Sequence, residues 1–233
     1  MRLKLAILLI TIVGIVALFV IVKNDKRNTY QKPEQLTLSL IKDKSFLKTV
    51  KSRPTSEKEI VLIETSKILV KEIHTVTDNK HKDFVPEDFN NVIPAIKFML
   101  KIDPENGHAI YFQGEIYRLM NDNVHFIEYF QRYLETEESV GSHLPKVIDP
   151  NLCYETPYGY CEQRTAWISQ LLANYYYKEG IKAADERTKT KSFKIALAYI
   201  HNVRIHFPSG FEASSVTMST IDLETNLNSS ISN

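Results

Sequence analysis

The sequence predicts an all-α protein, with an N-terminal transmembrane helix followed by two to three helical hairpins. Three observations carry that prediction. Leu5 to Val22 is a run of 18 residues without a charge. Beyond Ser56, apolar residues recur at the three-to-four-residue spacing of amphipathic helices. Only 7 Gly and 9 Pro occur in 233 residues, which suits helices better than a loop-rich β-sandwich. At 43% apolar the chain has enough material for a core. A net charge of +1 argues against a bulk-basic nucleic-acid binder, so no nucleic-acid partner is expected. Two cysteines are too few for a disulfide scaffold or a four-thiolate metal site.

The N-terminal run spans roughly 27 Å as a helix, close to the thickness of a hydrocarbon core. The residues after it, Val20-Ile21-Val22-Lys23-Asn24-Asp25, offer no small-residue cleavage site. Residues 1–23 are therefore read as an uncleaved signal-anchor rather than a removed signal peptide. Two indications of orientation disagree. Lys23, Lys26, Arg27 and Lys32 outnumber Arg2 and Lys4, which puts the carboxyl side in the cytoplasm. The four-residue amino tail and the closely spaced cysteines favour the opposite. The reading adopted is a single-pass membrane protein with its soluble domain outside the cytoplasm.

Charge is uneven along the chain. Residues 23–58 hold ten Lys/Arg against four Asp/Glu, and residues 59–233 hold 17 against 24. Residues 24–55 read as a basic juxtamembrane linker, either solvated or lying on anionic lipid, with Leu36 to Val50 forming one short helix. The folded part is placed at 56–208. Ser56 followed by Glu59 is a capping-box signature for a helix over 57–75. A polar loop follows, and Pro86-Glu87-Asp88 opens a second helix that ends at Asp103-Pro104. A third helix contains Gly114. An interior glycine costs about 1 kcal/mol relative to alanine, so close approach of a neighbouring helix is expected there. Asn121-Asp122 is the turn, and a fourth amphipathic helix runs from Phe126 to Glu135.

Residues 104–135 resemble a tetratricopeptide repeat without a gap. Asp103-Pro104 matches the end of a preceding repeat, Gly114 the small-residue slot of the first helix, Tyr117 its aromatic slot and Phe130 the aromatic slot of the second. Gln113, Phe126, Tyr133 and Glu138 depart from the pattern. A broken copy at 166–208 places Leu172-Ala173, Tyr176 and Gly180 at the offsets of Gln113-Gly114, Tyr117 and Asn121. There Gly180 reads as a helix stop, and Ile181 to Lys191 as an insertion or an extension of both helices. The helices before Pro104 form a third, degenerate pair. Such repeats need neighbours to bury their apolar faces.

Between the repeats, 137–160 is a long connection containing Cys153 and Cys161. The two cysteines allow a disulfide in an oxidising compartment, two packed thiols in a reducing one, or a nucleophile with His143 as its base. The seven histidines show no metal-ligand spacing, so neither metal nor cofactor is expected. Residues 209–233 read as a polar tail, with Ile221, Leu223 and Leu227 forming a short, fraying cap.

In tetratricopeptide repeats the first helix of each pair lines a concave groove. By register the resemblance implies His108, Tyr111, Glu115 and Arg118 in the clear repeat, and Trp167, Gln170, Asn174 and Tyr177 in the broken one, as contacts to a protein or peptide partner. The family's two-lysine carboxylate clamp is absent. The function expected is a non-catalytic, membrane-anchored adaptor. The alternatives are a cysteine-dependent enzyme or redox module built on the Cys153–Cys161 loop, and a structural subunit of a membrane complex.

Overall fold

The computed structural model describes residues 36–79, 83–141, 146, 160–211 and 219–232. The predicted span Leu5–Val22 lies outside them, and among the described residues no helix is long and apolar enough to cross a membrane. The helices are α1 Leu38–Lys42, α2 Lys44–Lys51, α3 Thr55–Asn79, α4 Val92–Ile102, α5 Gly107–Leu119, α6 Asn123–Leu134, α7 Glu137–Val140, α8 Glu162–Lys182, α9 Glu186–His206 and α10 Thr220–Ser232, with a 3-10 turn at Pro86–Phe89. The described residues form an all-α structure, as the sequence predicts. Three hairpins follow one another: α3 with α4, α5 with α6, and α8 with α9.

The compact unit runs from Thr37 to Asn233, so folded structure begins before residue 56, within the expected linker. The single helix expected over 36–50 is two. Asp43 adopts an extended conformation that ends α1, and its carboxylate accepts the Ser45 N–H at 2.7 Å to start α2. Both helices lie against α4, where Phe46 stacks on Phe98 at 5.7 Å between ring centroids. Ser56 does not cap α3; the helix begins at Thr55, with the Pro54 carbonyl accepting from Glu57 and Lys58. The helix expected from Pro86 onward breaks after the 3-10 turn and resumes at Val92, with Pro94 in its first turn. Asp103 closes α4 as expected.

The α5/α6 hairpin turns at Asn121, whose φ of 57° is left-handed. Asp122 then caps α6 by accepting the His125 N–H. Gly114 lies against Phe130 of α6, so the close approach expected there is present. Gly180, read as a helix stop, is not one. α8 continues through it to Lys182, and the Phe193 ring of α9 rests on the space a side chain would fill. Residues 181–191 are the extension of both helices around a short turn, with Asp185 capping α9 through the Thr188 N–H. Phe130 and Phe193 each lie eight residues after a capping aspartate, and each covers a glycine of the preceding helix.

Two hydrophobic clusters result. The larger joins α3 to α6 with Ile168 and Leu172 of α8; the smaller gathers Ala173, Phe193, Ala196, Ile200, Leu223 and Leu227. Tyr199 packs against both. The expected fraying cap is the helix α10, with Leu223 and Leu227 fully buried on α9 and Ile221 exposed. Arg204 holds α10 to α9 through Glu224 at 2.6 Å.

Candidate functional site

The first helices of the second and third hairpins, α5 and α8, carry the residues expected to face a partner. On α5, Glu115 and Arg118 are one turn apart and form a two-pronged ion pair, Nε to Oε1 at 2.9 Å and Nη2 to Oε2 at 3.0 Å. Their side chains are 12% and 30% exposed, so the pair lies at a rim, half in water. The Arg118 guanidinium also lies 5.4 Å from the Trp167 ring centroid of α8, a cation–π contact joining two hairpins. Trp167 in turn meets Tyr111 at 6.3 Å and Phe130 at 5.8 Å.

Beside this pair a cavity of about 140 Å³ opens between α3 and α5. Ile73, Phe89, Phe112, Ile116 and Leu119 make its apolar wall, and His74, Thr77, Glu115 and Arg118 supply its polar lining. The pocket thus combines an apolar wall with a charged rim.

The other expected residues are placed differently. His108, Tyr111, Gln170 and Asn174 are buried, and Tyr177 is half-buried against Phe193. His108 and Tyr111 of α5 face Arg164 of α8. Arg164 of α8, itself 5% exposed, lays its guanidinium 4.4 Å from the Tyr111 ring centroid. His108 stands edge-on to Phe112 at 4.7 Å, and among the described residues neither of its ring nitrogens has a hydrogen-bond partner. Burial, and after it the Arg164 charge, hold this imidazole neutral to well below the usual histidine range. The Asn174 side-chain amide donates to the Gln170 carbonyl one turn earlier, so it serves its own helix. Glu115, Arg118 and Trp167 therefore come together at an accessible edge, whereas His108, Tyr111 and Gln170 lie inside.

Several residues that organise this region carry no mark in the sequence. Arg164, near a helix start, reads as an ordinary solvated charge. Gln131 of α6 donates to the Tyr176 and Tyr199 hydroxyls at 3.0 Å each, tying the second hairpin to the third. Tyr160 lies under Gly141, whose φ is 61°, and its hydroxyl is 2.7 Å from His206 Nδ1. Burial pushes the Tyr160 phenol up to about 12, and burial also lowers His206.

Cys161 is 1% exposed and serves as N-cap of α8, its Sγ accepting the Arg164 N–H at 3.3 Å. Cys153 and His143 lie outside the described residues, and so does nearly all of the 137–160 connection beyond Gly141. Among the described residues no group of three or more His, Cys, Asp or Glu is placed to hold a metal ion. No known protein family, curated protein or solved structure matches this chain.

Proposed function

We propose that the chain is a membrane-anchored, non-catalytic adaptor of tetratricopeptide-like architecture that holds a protein or peptide partner close to a membrane. The observation that carries this reading is the cleft between α3 and α5, with the Glu115–Arg118 pair at its rim and Trp167 packed on the Arg118 guanidinium. An apolar pocket edged by an aromatic and an arginine has the composition of a binding hot spot. Succession of three hairpins supports the repeat reading, and the uncharged run Leu5–Val22 supports the anchor. The anchor raises the local concentration of whatever the cleft binds, so weak binding suffices.

The same reading joins Cys153 to Cys161 and puts the domain outside the cytoplasm. In support, Cys161 is buried and is not a free thiol, and the chain has only two cysteines. Mass-tagging of thiols in intact cells, before and after reduction, checks this: two taggable thiols without reductant would reverse the orientation.

The adaptor reading is tested with a photo-crosslinking amino acid in place of Leu119, in the full-length protein expressed in cells. The expected result is one discrete crosslinked product that disappears in Arg118→Glu and Trp167→Ala, with helix content unchanged by circular dichroism. No product, or a product indifferent to both folded variants, would remove the cleft from the function.

A further inference from the structure

The exposed face of α9 carries a line of cations that neither the fold nor the cleft uses. Arg187, Lys191, Lys194, Ala198, His201 and Ile205 follow one another at spacings of four and three residues, which is one straight stripe of an α-helix. The first five are exposed, and Ile205 is 62% exposed. α9 holds five Lys/Arg and only one acid, Glu186, although residues 59–233 as a whole carry 24 acids against 17 bases. Among the described residues Glu186 is paired with Lys189 at 3.1 Å, and Arg187, Lys191 and Lys194 form no ion pair.

Helix stability does not account for this placement. The three cations lie in the first half of α9, with Arg187 in the first turn. There the helix dipole disfavours positive charge. Their aliphatic stems cover no core either, since the buried face of α9 is Phe193, Ala196, Ile200 and Val203. The three cations are thus exposed, with Glu186 and Glu224 bordering the face, and an exposed isoleucine continues their line.

We infer that this face of α9 docks on an anionic membrane surface. The inference rests on the anchored reading, because the anchor is what holds the domain within reach of lipid, and it requires an anionic leaflet on whichever side the domain lies. Lipid headgroups supply a flat field of negative charge that accepts an extended line of cations without a matched pocket. Basic residues near such a surface act together, so three in line orient a domain that is already tethered. Ile205, further along the stripe, is placed to enter the headgroup boundary. The domain then lies with α9 down.

The test uses the full chain in vesicles of phosphatidylcholine alone and of phosphatidylcholine with phosphatidylserine. Lysine acetylation by an amine-reactive reagent is read residue by residue by mass spectrometry, with exposed Lys71 and Lys101 as references. The expected result is severalfold lower acetylation of Lys191 and Lys194 in the anionic vesicles, lost at high salt and lost in Arg187→Glu. Equal acetylation in both membranes overturns the inference. So does protection given by added polyglutamate but not by phosphatidylserine, which would assign the stripe to an acidic protein instead. Failure of the chain to enter phosphatidylcholine vesicles would sink the anchor separately. In that case salt-sensitive binding to anionic vesicles, abolished in the triple variant Arg187→Glu, Lys191→Glu, Lys194→Glu, still supports the lipid face, and its absence overturns it.

Discussion

Replacing Gly114 with alanine sets two effects against each other. In an open helix the change gains about 1 kcal/mol. Here the new Cβ would lie 2.4 Å from Phe130 Cδ1, 2.5 Å from Cε1 and 3.4 Å from the Tyr129 Cβ. The Phe130 ring cannot swing aside easily, because it is fully buried among Tyr111 at 6.2 Å, Phe126 at 5.8 Å and Trp167 at 5.8 Å. Relief comes from parting α5 and α6. Overpacking of this kind costs about 1–3 kcal/mol, and an overlap of about an ångström takes the upper end. The net expectation is a loss of about 2 kcal/mol, or a Tm lower by roughly 4–8 °C for a domain of this size. Trp167, the sole tryptophan of the chain, touches the Phe130 ring and reports urea unfolding by fluorescence. Phe130→Leu, which removes the obstructing ring, should make alanine at 114 neutral or favourable. The double-mutant cycle should then show a coupling of at least about 1 kcal/mol. Additive losses, or a gain in stability from Gly114→Ala alone, would refute the account of why a glycine stands there.

The buried imidazole of His108 binds a proton less readily in the folded chain than its ordinary value of 6.5 implies. Stability is therefore full above about pH 6.5 and falls as the pH drops, by at most about 1.4 kcal/mol per pH unit for this one proton. His108→Leu should remove that part of the slope, as read from urea midpoints at a series of pH values. Gly141→Ala combines a φ of 61° with a Cβ 1.9 Å from Tyr160 Cγ. It should cost at least about 2 kcal/mol, measured by the same unfolding assay. Gln131→Leu deletes the donor shared by Tyr176 and Tyr199 and should cost about 1–2 kcal/mol. A loss below a few tenths would mean that those hydroxyls are served equally well by water.

The sequence carries most of the helical plan because strong local signals coincide with it. Pro104 ends α4, Asn121-Asp122 turns the second hairpin, and the cost of an interior glycine marks Gly114 as a contact. The errors arise where one residue type serves two ends. Gly180 has the look of a helix terminator, yet its missing side chain makes room for Phe193, a partner 13 residues on that local pattern does not reveal. The polar run 181–191 leaves an insertion and an extension of both helices equally open, because solvent-facing helix and loop share a composition. At the cleft, helical register identifies the face that holds Glu115 and Arg118. It does not say which polar residues on that face end up beneath the next hairpin. His108 and Tyr111 are covered where Arg164 of α8 lies over α5, which is a property of stacking rather than of either helix.

The division of the interior into two clusters has a consequence for how the molecule comes apart. α8 is shared between them: Ile168 and Leu172 belong to one and Ala173 to the other. The end of α8, α9 and α10 form a unit that can open while the remainder stays closed, since proteins commonly exchange and unfold in such cooperative pieces. Such an opening would have to part Tyr199 from the larger cluster and from the Gln131 amide, and Asn202 from Ser169. Proteolysis from the C-terminal end would thus meet its first lasting resistance near Leu172, and a fragment ending there retains Trp167 and Arg118. Loss of the cationic helix and loss of the cleft are consequently separable events in the life of the protein.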